Sequence, residues 1–303
     1  SKINFKVQIN FMELDLYFSS VEKVTYENGT VGSNTQIYNE KFPDWEFADI
    51  VLFSVNENRG NSEHELGNLE HFKIRERFYK FKLNQNVKIA DLGILQAGAS
   101  SRDTFSAIRE VTFTVQKKQK LLIILGGSQD LTYANYLGYE ELEQTVNLTC
   151  VDNKFDVEIE KEEDINSDNF INHLLLHPQS ILFNFSILGF QQFYAGEDEL
   201  RFFDDLYFDY FRLGELQKKL EKSEPILRNT DILSVDLCSL RFSEFSGAIN
   251  NGPNGFFANE ICQLMKYAGI SDKLSSVGIY NQKNGYLNHV DNELIAQMLF
   301  FLV

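Results

Sequence analysis

The chain has 303 residues and sets 28 Lys and Arg against 44 Asp and Glu, a net charge of −16. A surface that acidic repels nucleic acid and anionic membranes and excludes both as default partners. With 43% hydrophobic residues, 14% aromatic residues and only four prolines, the chain can bury a large core and has no linker-like tract.

Residues 1–47 are mixed, rich in aromatics, with a turn region at 28–35, and are an N-terminal segment that packs on the domain or extends from it. ADIVLFSV (48–55) is a short apolar run of the buried-strand kind, and 56–68 is polar and loop-like. HFKIRERFYKF (71–81) has helical amphipathicity, and VKIADLG (87–93) is a second strand. Residues 101–120 begin with Ser101 as a candidate N-cap and end in lysines, which suits a helix and its dipole. LLIIL (121–125) is apolar throughout, as a strand covered on both faces should be, with Gly126-Gly127 as a sharp exit and a helix expected from Asp130 to Gln144. VNLTCV (146–151) is a strand, followed by an acidic stretch at 157–169 expected to be solvated surface. A helix near 168–176, the strand 181–187, an aromatic and acidic helical stretch at 197–222, the strand 231–237, a Gly/Asn/Ser-rich loop at 239–256, a helix at 258–268, the strand 275–280 and a closing helix at 290–302 complete the pattern. Alternating strands and helices without an internal repeat predict a three-layer αβα sandwich with a mostly parallel, doubly wound sheet, spanning 1–303 as one domain.

The cysteines, Cys150, Cys238 and Cys262, form no CxxC pair, and the opening SKINFKVQIN has no long apolar core; both suit free thiols and a cytoplasmic protein. Cys150 lies in an apolar run and reads as a small packed hydrophobe. The aromatic run 202–211 reads as core rather than as a partner surface.

Three segments place carboxylates at strand ends, where open α/β sheets keep their sites: LLIILGGSQD (121–130), VNLTCVDNKFDVE (146–158) and DILSVDLCSLR (231–241). In order and spacing they resemble the metal motifs of the ureohydrolase family (arginase, agmatinase, formimidoylglutamase), which read Gly-Gly-Asp-His-Ser, Asp-Ala-His-x-Asp and Ser-x-Asp-x-Asp-x-x-Asp-Pro. The resemblance implies an arginase-like fold, a trimer or hexamer, and two ions such as Mn²⁺ sharing a bridging water. Asp152, Asp156 and Asp236 stand at retained ligand positions. Gln129 and Lys154 stand where the two histidine ligands belong, Cys238 at an aspartate ligand, Arg241 at the final aspartate and Gly278 near a substrate-facing glutamate. The five histidines, at 64, 71, 173, 177 and 289, lie outside these motifs.

An amide oxygen ligates weakly, and an ammonium has no acceptor at all. The expected protein is therefore a ureohydrolase-fold chain with a decayed dinuclear site, non-catalytic or regulatory, without a cofactor, with room for a small-molecule ligand, and a homo-oligomer. The alternative is a hydrolase of linear amidine or guanidino C–N bonds using a single Mn, Mg or Ca ion. Lys154 could neutralise the aspartates or point to solvent. Asp130 could join the aspartates as an extra ligand, although a helix cap is the plainer role for it. Cys238 lacks a visible histidine base and reads as a buried inert thiol.

Overall fold

The computed structural model describes residues 14–61, 71–83, 86–158, 164–283, 285 and 287–303. Among them run strands β1 (Phe18–Ser19), β2 (Thr35–Ile37), β3 (Ile50–Val55), β4 (Ile89–Leu95), β5 (Leu121–Leu125), β6 (Val146–Val151), β7 (Leu182–Phe190), β8 (Asp209–Arg212), β9 (Ile232–Asp236) and β10 (Ser276–Tyr280). The helices are α1 (His71–Phe78), α2 (Ser101–Gln116), α3 (Leu131–Glu140), α4 (Phe170–Leu175), α5 (Glu197–Asp205), α6 (Leu213–Leu216), α7 (Glu224–Arg228), α8 (Ala258–Gly269) and α9 (His289–Leu302).

The strands form one sheet in the order β1-β4-β3-β5-β10-β9-β6-β7-β8, with β2 also paired to β4. Every pairing is parallel except β1 on β4. Strands β3, β9 and β10 are buried from end to end because alternate residues serve opposite faces, each covered by helices. Ile50, Leu52, Ile123 and Leu125 pack with α1, α8 and α9 on one side. Val51, Phe53, Leu122 and Ile124 pack with α2 and the start of α3 on the other. Farther along the second side, Leu148, Cys150, Phe185 and Ile187 meet the end of α3, α4 and α5. Each fully buried aliphatic side chain of this kind contributes about 1.5–3 kcal/mol. Three layers with the sheet in the middle are the expected architecture.

Several local expectations are corrected. The described part of the N-terminal segment packs on the sheet, because β1 and β2 extend it beyond β4. Helix α2 is capped by Ser100 rather than Ser101, since this choice places Asp103 at the third helical position. The Asp103 N–H then donates to Ser100 Oγ (3.2 Å), and the Ser100 N–H donates to Asp103 Oδ2 (2.8 Å). Helix α3 stops at Glu140, short of Gln144. The stretch 197–222 is not one helix. Tyr207 adopts a left-handed conformation (φ 57°) that ends the α5 segment, and Asp209–Arg212 joins β7 as an edge strand. That turn lets Tyr210 pack on Phe155 and Phe190 (ring centroids 5.8 and 5.6 Å) while Phe203 is fully buried, so much of the aromatic run is core; Tyr207 is 91% exposed. Residues 164–169 are not simple solvated surface, because Ser167 and Asn169 are buried. Residues 62–68, with His64, and 159–163 lie outside the described residues.

Candidate functional site

Strands β5, β10, β9 and β6 are neighbours, so the segments that leave their C-terminal ends meet at one place. Gly126 and Gly127 both have positive φ (85° and 82°) and turn the chain sharply out of β5. A Cβ on Gly127 would stand 2.3 Å from Leu131 Cδ1 and 2.9 Å from the Glu57 carbonyl oxygen, so the close approach needs glycine. This turn delivers Gln129, whose backbone N–H donates to Ser167 Oγ (3.1 Å) and Asn281 Oδ1 (3.1 Å). Its side-chain amide donates to Ser234 Oγ (3.3 Å).

Asp236 closes β9 and Asp152 follows β6. Asp236 Oδ1 accepts the Cys238 N–H (2.7 Å), and Asp152 Oδ1 accepts the Lys154 N–H (3.2 Å). The second oxygen of each carboxylate is buried as well, and so are both oxygens of Asp156. Asp156 sits in the left-handed region (φ 47°), uncommon for a residue with a side chain. Lys154 projects back over this group. Its Nζ lies 3.0 Å from Asp156 Oδ1 and also pairs with Asp168 on the outer side.

These contacts set the electrostatics. Burial, reinforced by the charge of Asp236, pushes the Asp152 carboxyl up to about 7. Burial and then Asp156 push Asp236 up to about 6. Asp156 is raised well above the carboxylate range, by burial first and Asp152 next. The Lys154 charge opposes the upward shift in all three. Burial alone would depress the Lys154 ammonium, but Asp156 and Asp168 outweigh it and hold it charged. Burial and neighbouring Asp236 raise the Cys238 thiol well above its ordinary value, so it is protonated and inert as a nucleophile.

A cavity of about 120 Å³ opens above the cluster. Lys154, Asp236 and Cys238 line it, together with Asn153, whose amide donates to the Cys238 carbonyl (2.8 Å). The remaining wall includes Asn61, Ser167, Asp168, Tyr194 and Asn281, none of which the sequence motifs reveal. Asn281 has a readable precursor in its place just beyond a strand end. Asn61 and Ser167 belong to segments joined only in space, through the Ser167 N–H donating to the Gly60 carbonyl (2.9 Å).

Three sequence-derived candidates stand elsewhere. Asp130 stands at the N-cap position of α3, but its backbone is already helical (φ −56°, ψ −19°) and its side chain makes no capping bond. Nor does it line the cavity. Its carboxylate faces Gly60, where an added Cβ would meet Oδ2 at 2.2 Å, and burial raises its pKa to about 7 with help from the Glu57 charge. Gly278 faces Tyr280, whose hydroxyl would lie 2.0 Å from an added Cβ, and Arg241 stacks on Phe257 (3.5 Å to the ring centroid).

The donor set does not fit a pair of metal ions. Gln129 turns its amide to Ser234, Cys238 is a protonated thiol, and Lys154 brings a cation to the carboxylates that would have to ligate one. Among the described residues no group of three or more His, Cys, Asp or Glu side chains is arranged to hold a metal ion.

A three-layer α/β protein with acidic residues gathered at adjacent strand ends is the class this geometry defines. A model of the arginase family matches residues 64–279, and the chain belongs to that family. Solved structures agree on the fold. Formiminoglutamase of Trypanosoma cruzi with Mn²⁺ superposes with a TM-score of 0.76 at 18% identity, over 85% of this chain and 93% of that one. Formimidoylglutamase of Bacillus subtilis gives 0.78 at 14% identity over 95% of both chains. Agmatine ureohydrolase of Thermoplasma volcanium gives 0.71 at 16% identity, over 91% of this chain and 93% of that one. No curated protein matches the chain by sequence. Among the described residues no helix is long and apolar enough to cross a membrane.

Proposed function

We propose that this chain is a non-hydrolytic member of the arginase family, whose pocket takes a small polar ligand in a binding or regulatory role. The observation that carries the reading is the Lys154 ammonium lying 3.0 Å from Asp156, at the position where the motif resemblance implies an imidazole ligand. Hydrolysis by a metal-bridged hydroxide needs two ions to lower the pKa of the shared water. A lysine held charged by two carboxylates cannot ligate either ion, and its charge repels both. The other substitutions act in the same direction, because a neutral amide and a protonated thiol bind hard ions weakly.

The test is turnover of formiminoglutamate, agmatine and arginine by the purified protein, with and without millimolar Mn²⁺. The reading predicts no product above the protein-free control in every case. Mn²⁺-dependent release of formamide or urea, abolished by Asp152→Ala or Asp236→Ala, would overturn it in favour of an atypical metal hydrolase of linear amidines.

A further inference from the structure

We infer that the cavity is the inner half of a two-part site for an aryl glycoside: an uncharged sugar in the cavity, and a flat apolar group on the cleft formed by Phe242 and Pro253 at its mouth. This rests on the non-hydrolytic reading above and deepens it by naming the class of ligand.

The inner half offers neutral hydrogen-bonding groups of both kinds. Asn281 gives its Oδ1 to the Gln129 N–H (3.1 Å) and lines the cavity, which leaves its side-chain N–H groups as donors. Asn153 uses its amide N–H on the Cys238 carbonyl (2.8 Å) and keeps its oxygen as an acceptor. Ser167 Oγ accepts the Gln129 N–H (3.1 Å) and still has its own O–H to donate. All three residues are buried, so these groups are fixed in place before a ligand arrives. Charge is poorly served by comparison. Lys154 is the sole cation among the described residues lining the cavity, and it is already matched by Asp156 and Asp168. An anion therefore meets no open cation, while an entering cation meets the ammonium. Hydroxyl groups donate and accept in turn, and a sugar carries several of them on a neutral ring.

The outer half is apolar and held still. Phe242, 57% exposed, lines a cleft of about 370 Å³ with Ser243, Asn251, Gly252 and Pro253. This cleft adjoins the cavity through a shared loop: Ile249 and Asn250 line the cavity, and the next residues line the cleft. Tyr194, 49% exposed, joins the two, because it lines the cavity and its hydroxyl stands 3.9 Å from where a Cβ on Gly252 would be. The loop is fastened from three sides. The Phe242 N–H donates to the Gly252 carbonyl (2.8 Å), Gln191 Nε2 to the Asn254 carbonyl (3.0 Å) and Arg241 Nε to the Gly255 carbonyl (3.3 Å). Exposed aromatic rings on a fastened rim beside a polar cavity are the arrangement of a ligand site with a polar and an apolar end.

The experiment uses the full chain and the phenyl and methyl glycosides of glucose, galactose and mannose at millimolar concentration. Binding is read by thermal melting and by saturation-transfer NMR. At least one phenyl glycoside is expected to raise the melting temperature by several degrees and its methyl counterpart by less. Phe242→Ser should reduce the phenyl glycoside to the level of the methyl one, Phe242→Leu should keep part of the difference, and Tyr194→Ala should weaken both. Phe242 and Tyr194 are exposed, so the variants should melt like wild type without ligand. No response of wild type to any phenyl glycoside overturns the inference. So do equal responses to phenyl and methyl glycosides, or an unchanged response in Phe242→Ser. These outcomes leave the non-hydrolytic reading intact, whereas Mn²⁺-dependent release of formamide or urea overturns that reading whether or not a glycoside binds.

Discussion

His71 is a buried histidine whose titration is set by burial and by Arg75 rather than by the acidic cluster. It is 1% exposed, with Nε2 3.2 Å from Asn56 Oδ1, and burial together with the nearby Arg75 charge depresses its pKa to about 3. The sign follows from linkage. The fold keeps His71 neutral, so its contribution is fully present above the unfolded value near 6.5 and is lost as pH falls from there toward 3. Between pH 7 and pH 5 the loss is about 2 kcal/mol. The raised carboxyls of Asp130, Asp152 and Asp236 act in the opposite sense: they favour the fold at low pH and lose that advantage as pH rises toward 6–7. Urea unfolding of wild type and His71→Gln at both pH values isolates the histidine: whatever the net change from pH 7 to pH 5, the variant is expected to come out of acidification about 2 kcal/mol better than wild type. Equal pH dependence in the two proteins would contradict the burial account. Nothing in the local sequence discloses this histidine. Its helix is readable as amphipathic, but that His71 points inward is decided by packing against Arg75 and the sheet. Asp152, Asp156 and Asp236 are readable because each lies at or just past an apolar strand run, whereas Asp168 meets Lys154 only because the chain returns after a loop.

At the scale of elements, α1 is fastened to β4 by a buried ion pair between Arg75 and Asp91. Arg75 Nε and Nη2 donate to Asp91 Oδ2 and Oδ1 (2.7 and 2.9 Å), Nη1 donates to Ser54 Oγ (2.9 Å), and the Tyr79 hydroxyl donates to Asp91 Oδ2 (2.6 Å). Breaking such a pair from one side leaves a buried charge, so Arg75→Met should destabilise by about 3–5 kcal/mol in urea unfolding. Restoring neutrality with Arg75→Met/Asp91→Leu should recover part of the loss. A second element-level prediction concerns α2. Ser100→Ala removes the capping bond to Asp103 and should cost about 1 kcal/mol, while Ser101→Ala, which the local sequence makes an equally good cap, should change little. The two serines are indistinguishable by type, and only the reciprocal bond from Asp103 selects between them. The same limit explains 197–222. Its aromatic and acidic spacing suits a helix, yet the partners that make Tyr210 a strand residue, Phe155 and Phe190, are distant in sequence.

At the scale of the whole molecule, the parallel order and the gathering of β5, β10, β9 and β6 explain why acidic residues from two separate segments share one pocket. The fold class was legible because fully apolar strands alternate with helices. The pocket wall was less so, since Asn61, Ser167 and Tyr194 come from loops whose polar composition resembles ordinary surface. On the proposed reading, the interaction that sets this chain apart from a dinuclear hydrolase is the Lys154 ammonium on Asp156, with Gln129 and Cys238 nearby. The most direct test is elemental mass spectrometry of the wild-type protein after incubation with Mn²⁺ and desalting. The account predicts no retained metal and no change in melting temperature, whereas two Mn²⁺ per chain would contradict it.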